Sequence, residues 1–130
     1  MDLGLGRIGQ IAISVGDVDA AIDFYGAKLG LRQTLRPHET MAFFDCGGIS
    51  LYLQKAHAPD DIPKASILYF DCLDLAVTVR ELEGRGVEVV SRPHRVAELP
   101  AHDLWMAFIK DPDGHLLGLQ MDAPKGWAPD

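Results

Sequence analysis

An α+β fold made of two pseudo-symmetric β-α-β-β-β modules is what this sequence predicts, and three observations predict it. First, a hairpin pattern occurs twice: Met41-Ala42-Phe43-Phe44-Asp45-Cys46-Gly47-Gly48-Ile49-Ser50-Leu51-Tyr52-Leu53-Gln54 returns, one residue longer, from Met106 to Gln120. Each copy is an apolar run, a turn containing glycine and a second apolar run. Second, a strand-like run, an aspartate and a helical stripe precede each copy in register, since Gln10 to Ile67 and Asp17 to Asp74 are both offset by 57 positions. Third, 130 residues with 48% hydrophobic content suffice for one compact domain and are too few for two ordinary ones. The repeat therefore marks one duplicated domain over 1–130, with module one over about 7–54, a linker over about 55–65, module two over about 66–122 and a tail over 123–130.

In chain order, Ile8 to Val15 alternates, placing Ile11, Ile13 and Val15 on one face and Gln10, Ala12 and Ser14 on the other. Asp17 is the natural N-cap of a helix whose stripe is Val18, Ile22, Tyr25 and Leu29, and Gly30 is its stop. That is a helix of about three turns. Leu31 to Pro37 forms a short strand before the first hairpin. Lys55 to Lys64 holds Pro59, Asp60, Asp61 and Pro63, the composition of a loop. The second module opens with the alternating run Ser66 to Cys72, is capped at Asp74, and carries Leu75, Val79 and Leu82 as a helical stripe closed by Gly86. Val87 to Pro93 is a further strand, His94 to Asp103 a loop, and the second hairpin starts at Leu104. In its Asp-Pro-Asp-Gly turn, Pro112 presets a negative φ and Gly114 supplies a positive one. Ala123 to Asp130, with two prolines and a glycine, is a frayed or docking tail.

A helix that joins non-adjacent strands must cover one sheet face and leave the other open or facing its pseudo-symmetric mate. Parity puts Ile11, Ile13, Val15, Ile49, Leu51 and Leu53 under the first helix, and Leu68, Phe70, Cys72, Leu117, Leu119 and Met121 under the second. The opposite, concave face carries Gln10, Ala12, Ser14, Ser50, Tyr52 and Gln54, with Ile67, Tyr69, Asp71, Leu116, Gly118 and Gln120. Such a mixed list suits a small-molecule pocket.

A formal charge of -7 and no clustered Lys or Arg argue against nucleic acid and against an anionic membrane surface. Met1-Asp2-Leu3-Gly4 lacks the basic region and apolar run of a secretory signal, and no apolar stretch approaches a spanning length. The expected address is the cytoplasm. Cys46 and Cys72 fall in strand-like runs and are expected to be reduced core thiols. Gly4-Leu5-Gly6 follows no strand and is no dinucleotide loop.

The run from Ile11 to Tyr25 with Leu29-Gly30-Leu31, the segment Phe108-Ile109-Lys110-Asp111-Pro112-Asp113-Gly114 and the paired modules together resemble the vicinal oxygen chelate superfamily over roughly Arg7 to Asp122. That superfamily holds glyoxalase I, extradiol dioxygenases, and the fosfomycin and bleomycin resistance proteins. The resemblance implies a curved, barrel-like mixed sheet with helices on the convex face, and a homodimer that covers exposed sheet edges. It leaves the reaction open, because this scaffold hosts several chemistries and plain binders. Its metal enzymes keep ligands early in the first strand and in the last strand of each module, positions that fall here on Gln10, Ile67, Tyr52 and Gly118. A one-residue slip would replace Tyr52 by Leu51. At least three protein ligands, His or Glu by preference, are needed. Gln10 offers an amide oxygen and Tyr52 a phenol, while Ile67 and Gly118 offer nothing, so the usual divalent metal is expected to be absent and no cofactor is expected.

The loops hold the sharper candidates. His94 and His102-Asp103 flank the segment before the second hairpin, and His38-Glu39 occupy the matching place before the first. At a cavity mouth such histidines bind ligand or act as acid or base; otherwise they are solvated. Small superfamily members look similar across Pro93-His94 and His102-Asp103-Leu104-Trp105, which ranks these two above His38. Tyr69 shares the parity of Gln10 and lines the pocket, whereas Trp105 is compatible with either face. Gln54 and Gln120 are equivalent rim positions, Asp71 is a strand-end carboxylate, and His57 and His115 are expected to be solvated beside turns.

The leading expectation is a glyoxalase/bleomycin-resistance-like protein that binds a small organic ligand through Gln10, Tyr52, Gln54, Tyr69, His94, His102, Trp105 and Gly118, with His94 and His102 as candidate catalytic groups. Whether it is an enzyme is left open. The alternatives are a metal-dependent lyase, isomerase or dioxygenase that uses the loop histidines, and an interaction module with a vestigial cavity.

Overall fold

The computed structural model describes residues 3–58, 62–64 and 66–129. Pro59, Asp60, Asp61 and Ala65 of the expected linker, Met1 and Asp2 at the start, and Asp130 of the tail lie outside the described residues. Two compact units follow one another along the chain, Met1–Ala65 and Ser66–Asp130.

In the first unit, β1 (Gln10–Val15) leads into α1 (Val18–Ile22), which continues as a wider π-helical turn over Asp23–Lys28; β2 (Arg32–His38), β3 (Met41–Cys46) and β4 (Ile49–Lys55) follow. In the second, β5 (Leu68–Asp71), α2 (Leu75–Gly84), β6 (Glu88–Glu98), β7 (Asp103–Lys110) and β8 (Leu116–Ala123) repeat the order. Hydrogen bonding joins the strands into two four-stranded sheets, β1-β4-β3-β2 and β5-β8-β7-β6. The helical crossover makes β1 parallel to β4 and β5 parallel to β8, and the hairpins make every other pair antiparallel.

Local chemistry accounts for the helices. Asp17 and Asp74 are extended, and each side chain accepts the backbone N–H three residues on, Ala20 and Val77, at 3.1 Å. Gly30 and Gly86, at φ 80° and 85°, end the two helical segments as the glycines predict. The first helix differs from expectation in its second half: Leu29 N–H donates to Phe24 C=O at 2.9 Å, a five-residue step. Gly26 sits in this widened turn, where a Cβ would lie 3.3 Å from Cε1 of Phe44. The ring of Phe44 thus packs where a side chain would otherwise stand.

Parity sorts the faces as expected. Ile13, Val15, Phe44, Leu51 and Leu53 are buried with Val18, Ala21, Phe24 and Tyr25 of the helix, and Ala107, Ile109, Leu117, Leu119 and Met121 are buried with Leu75, Val79 and Leu82. Leu75, Val79 and Leu82 are worth roughly 1.5–3 kcal/mol each in burial. An isolated helix as short as α2 is marginal in water, so packing decides that it forms. Ile11, Ile49, Leu68, Phe70 and Cys72 at the margins are half-buried.

Two expectations need correction. The sixth strand does not stop at Pro93 but runs to Glu98, which puts His94 on a strand and leaves only Leu99 to His102 as loop. Pro93 is tolerated because β6 is an edge strand and the register shifts between Ser91 and His94. Pro37 in edge strand β2 repeats this device. His115 is not solvated but 3% exposed. Its N–H and that of Asp113 both donate to Oδ1 of Asp111, at 2.8 and 2.9 Å, which tightens the turn. Of the two readings of the tail, frayed or docking, its contacts support docking: Ala123 is a buried β8 residue, Lys125 Nζ lies 2.6 Å from the buried Asp103 carboxylate, and Trp127 packs edge-on against Trp105 with centroids 5.0 Å apart.

Candidate functional site

Each unit presents one sheet face that its helix does not cover, and the register puts equivalent residues of the two units in equivalent places. In the first unit Ala12 lies beside Tyr52, Ser14 beside Gln54, Phe43 across from Tyr52 and His38 across from Met41. In the second, Tyr69 lies beside Gly118, Asp71 beside Gln120, Phe108 across from Gly118 and His94 across from Met106.

Between those two grids the aromatic ring has changed strands. In the first unit Tyr52 on β4 stacks on Phe43, with centroids 4.7 Å apart and planes 10° apart, and faces the small Ala12. In the second, the partner of Phe108 is Tyr69 on β5, edge-on at 5.8 Å, and the β8 position is a glycine. A Cβ at Gly118 would fall 2.3 Å from Cδ2 of Tyr69, well inside contact distance. The Tyr69 ring therefore lies flat over the Gly118 backbone, and only glycine leaves room for it.

Polar groups flank the rings. Gln54 Nε2 donates to Ser14 Oγ at 3.2 Å, and its equivalent Gln120 Nε2 donates to Asp71 Oδ1 at 2.9 Å. His94 sits at a 6.2 Å centroid distance from Phe108, inclined by 29°, with Nδ1 2.8 Å from the Arg92 carbonyl oxygen. His102 Nε2 is 3.2 Å from Oδ1 of Asp122, which shares the open face of β8 with Gly118 and Gln120. Tyr69, His94, Gly118, Gln120 and the His102–Asp122 pair thus belong to one face of the second unit. Gln10, exposed opposite Ser50, belongs with Tyr52 and Gln54 in the first. Ser14 and Gln54 also line a pocket of about 230 Å³ with Lys55, Ala56, His57, Ala58 and Pro63.

Trp105 stands apart. Its parity is that of the buried Ala107 and Ile109, so it lies on the helix-side face, covered by Trp127, with Nε1 buried and unpartnered. Phe43, Phe108, Met106 and Asp122 are face residues that the sequence candidates omit. The paired Met-Ala-Phe of the repeat was the signal for the first three; the Asp122 contact carries none, since it depends on how the 99–102 loop turns.

Both thiols are half-buried, and burial pushes each above its ordinary value. The Asp45 carboxylate adds to this at Cys46. At Cys72 hydrogen bonds from Thr78 and Gln120 oppose it, and Asp71 reinforces it. Neither setting activates a nucleophile. Ile67, 42% exposed, and Gly118 bring no donor atom to the positions where metal-dependent relatives of the resembled family keep ligands. Among the described residues, no three His, Cys, Asp or Glu side chains group closely enough to hold an ion.

No functionally curated protein matches the sequence. Among solved structures, a superfamily member from Sphaerobacter thermophilus has a TM-score of 0.74 at 20% identity, covering 92% of this chain and 99% of that one. TioX from Micromonospora sp. ML1 gives 0.72 at 18%, over 90% and 99%. A glyoxalase/bleomycin resistance protein/dioxygenase from Alicyclobacillus acidocaldarius gives 0.70 at 20%, over 90% and 92%. At such identities the likeness establishes the fold. A family model named for the Glyoxalase/Bleomycin resistance protein/Dioxygenase superfamily matches residues 7–119. With duplicated modules, matching topology and that match over most of its length, the chain belongs to the glyoxalase/bleomycin resistance protein/dioxygenase superfamily.

Proposed function

We propose that this protein binds a small organic ligand against the open sheet face that carries Tyr69, Phe108 and His94, and that the divalent-metal site of its catalytic relatives is degenerate. The observation that carries the reading is the Tyr69 ring over Gly118. A metal ligand at 118 would need a side chain in the volume that the ring fills, and Ile67 is a hydrocarbon. The donor set therefore does not fit a metal bound by three or more protein groups. What the face offers instead is ring surface flanked by fixed polar groups, which supports recognition of a flat molecule.

We further propose a cytoplasmic homodimer. Edge strand β2 is exposed along its whole length, Leu35 to 63%, and a closed pair would protect such an edge.

Thermal shift tests the binding, because a ligand at 100 times its Kd stabilises by about 2.7 kcal/mol. It is preferable to tryptophan emission, since Trp105 and Trp127 pack together away from this face. A panel of planar organic compounds is expected to contain stabilisers whose effect disappears in Tyr69→Ala. The same assay with Ni²⁺, Mn²⁺, Zn²⁺ and Fe²⁺ is expected to be silent. Stoichiometric metal, lost on His94→Ala or His102→Ala, would replace this proposal with a metal-dependent lyase, isomerase or dioxygenase.

A further inference from the structure

On the open face of the second unit, acceptors gather on one side of the rings, around Asp71 and Gln120. One N–H of Gln120 Nε2 donates to Asp71 Oδ1, which leaves its second N–H as a donor and Oε1 of Gln120 and the second oxygen of Asp71 as acceptors. His94 Nδ1 lies 2.8 Å from the carbonyl oxygen of Arg92, an atom that only accepts. Nδ1 must therefore carry the hydrogen, and in the neutral ring Nε2 keeps its lone pair. His102 Nε2 is committed to Asp122. Lys110, opposite Leu116, is the next open-face residue beyond Phe108 on β7 and lies on the side of the rings away from Asp71 and Gln120. The Tyr69 hydroxyl both gives and takes. The pseudo-symmetric place of Asp71 is Ser14, which binds the amide of Gln54 in the same way, so the second unit repeats the clamp with a negative charge added.

We infer that the ligand of this face is a planar aromatic cation that donates hydrogen bonds, an aromatic amine or amidine, and not an aromatic carboxylate. The inference rests on the binding proposal above and deepens it. Donor groups at the ligand's rim meet Asp71, Gln120 and His94, and its delocalised charge meets the exposed ring of Tyr69. The net charge of -7 steers a cation toward the protein and an anion away.

The test compares two probes of one size, the tricyclic cation proflavine and the tricyclic anion anthracenecarboxylate, by fluorescence titration of the full chain at about 150 mM salt, which screens distant charges. Proflavine is expected to bind at least about tenfold more tightly, as an added cation–π and carboxylate contact predicts. Asp71→Asn is expected to remove most of that preference, and Tyr69→Leu to weaken proflavine binding by a similar factor, with unchanged circular dichroism in both variants. Equal or tighter binding of the anion, lost in Tyr69→Leu, overturns the charge inference and leaves the binding proposal standing. Failure of both probes, or proflavine binding that survives both substitutions as a bulk charge effect, overturns the two together.

Discussion

Gly118→Ala is the sharpest perturbation that the structure offers. The new methyl would stand 2.3 Å from Cδ2, 2.5 Å from Cε2 and 3.0 Å from Cγ of Tyr69. Carbon atoms in contact sit about 3.5–4.0 Å apart, so the ring must retreat by roughly 1.2 Å or more. Cγ lies on the axis of ring rotation, so turning the ring cannot clear it and the side chain must swing about Cα–Cβ. Tyr69 is 43% exposed and has solvent to swing into, which puts the cost in the lower part of the overpacking range, about 1–2 kcal/mol. Part of that is the lost edge contact with Phe108, worth about 0.5–1.5 kcal/mol. The φ of Gly118 is not among the positive ones, so alanine brings no backbone strain. Urea denaturation of the wild type, Gly118→Ala, Tyr69→Ala and the double variant isolates the term. Without the ring, alanine at 118 is expected to be neutral or slightly stabilising, giving a coupling energy of about 1 kcal/mol or more. If Gly118→Ala costs the same with and without the tyrosine, the ring does not occupy that space, and the argument against a metal ligand there loses its physical basis.

Other outcomes follow from other contacts. Gly84→Ala near the end of α2, where a Cβ meets nothing within 4 Å, is expected to stabilise by up to about 1 kcal/mol in the same denaturation assay. Asp17→Ala and Asp74→Ala each remove a side-chain cap and are expected to cost about 1 kcal/mol, equally in the two modules. Lys125→Met leaves the Asp103 carboxylate, its side chain 6% exposed, with Arg95 at 4.0 Å as its remaining cation. It is expected to cost about 1–3 kcal/mol, discounted because the lysine is half-exposed, and to red-shift tryptophan emission as Trp127 leaves Trp105. Cys46 and Cys72 are expected to react slowly with a disulfide reagent near neutral pH. Because both thiols are raised in the folded state, the unfolded chain ionises first, so they favour folding below the ordinary thiol range and that contribution is lost as pH rises through their raised folded values. Cys46→Ala/Cys72→Ala should flatten the alkaline fall in stability.

Periodicity made most of the fold legible because one solvent boundary per element writes one pattern. Ile13 and Val15, or Leu117 and Leu119, alternate with residues of the open face, and Asp17 and Asp74 announce helices by the chemistry of capping. What escaped depends on contacts that periodicity does not record. Pro93 reads as a terminator until β6 proves to be an edge, where its missing N–H has no partner to disappoint; His94 then moves from loop to strand. His115 is buried beside a turn in which Asp111 accepts two backbone N–H groups. The repeat already equated Ala12 with Tyr69 and Tyr52 with Gly118, yet that one ring covers the other strand's glycine is a matter of side-chain direction. Trp105 shows the limit from the opposite side, since strand parity settles its face only once β7 is known to begin at Asp103.

The parallel pairs have a consequence for how the chain reaches this structure. Gln10 bonds alongside Ser50 and Leu68 alongside Leu117, so in each unit the opening strand waits about forty or fifty residues for the last one. Such non-local pairing is slow, because loop-closure entropy is lost before contact is gained. The hairpins β3–β4 and β7–β8 are local and can form first, offering β1 and β5 a prepared edge. On the ribosome the first unit can close once Lys55 has emerged, whereas the second must wait until Ala123 is free. For that interval β6 would be an unsatisfied edge, and its Pro93 and register shifts then keep it from pairing with another chain.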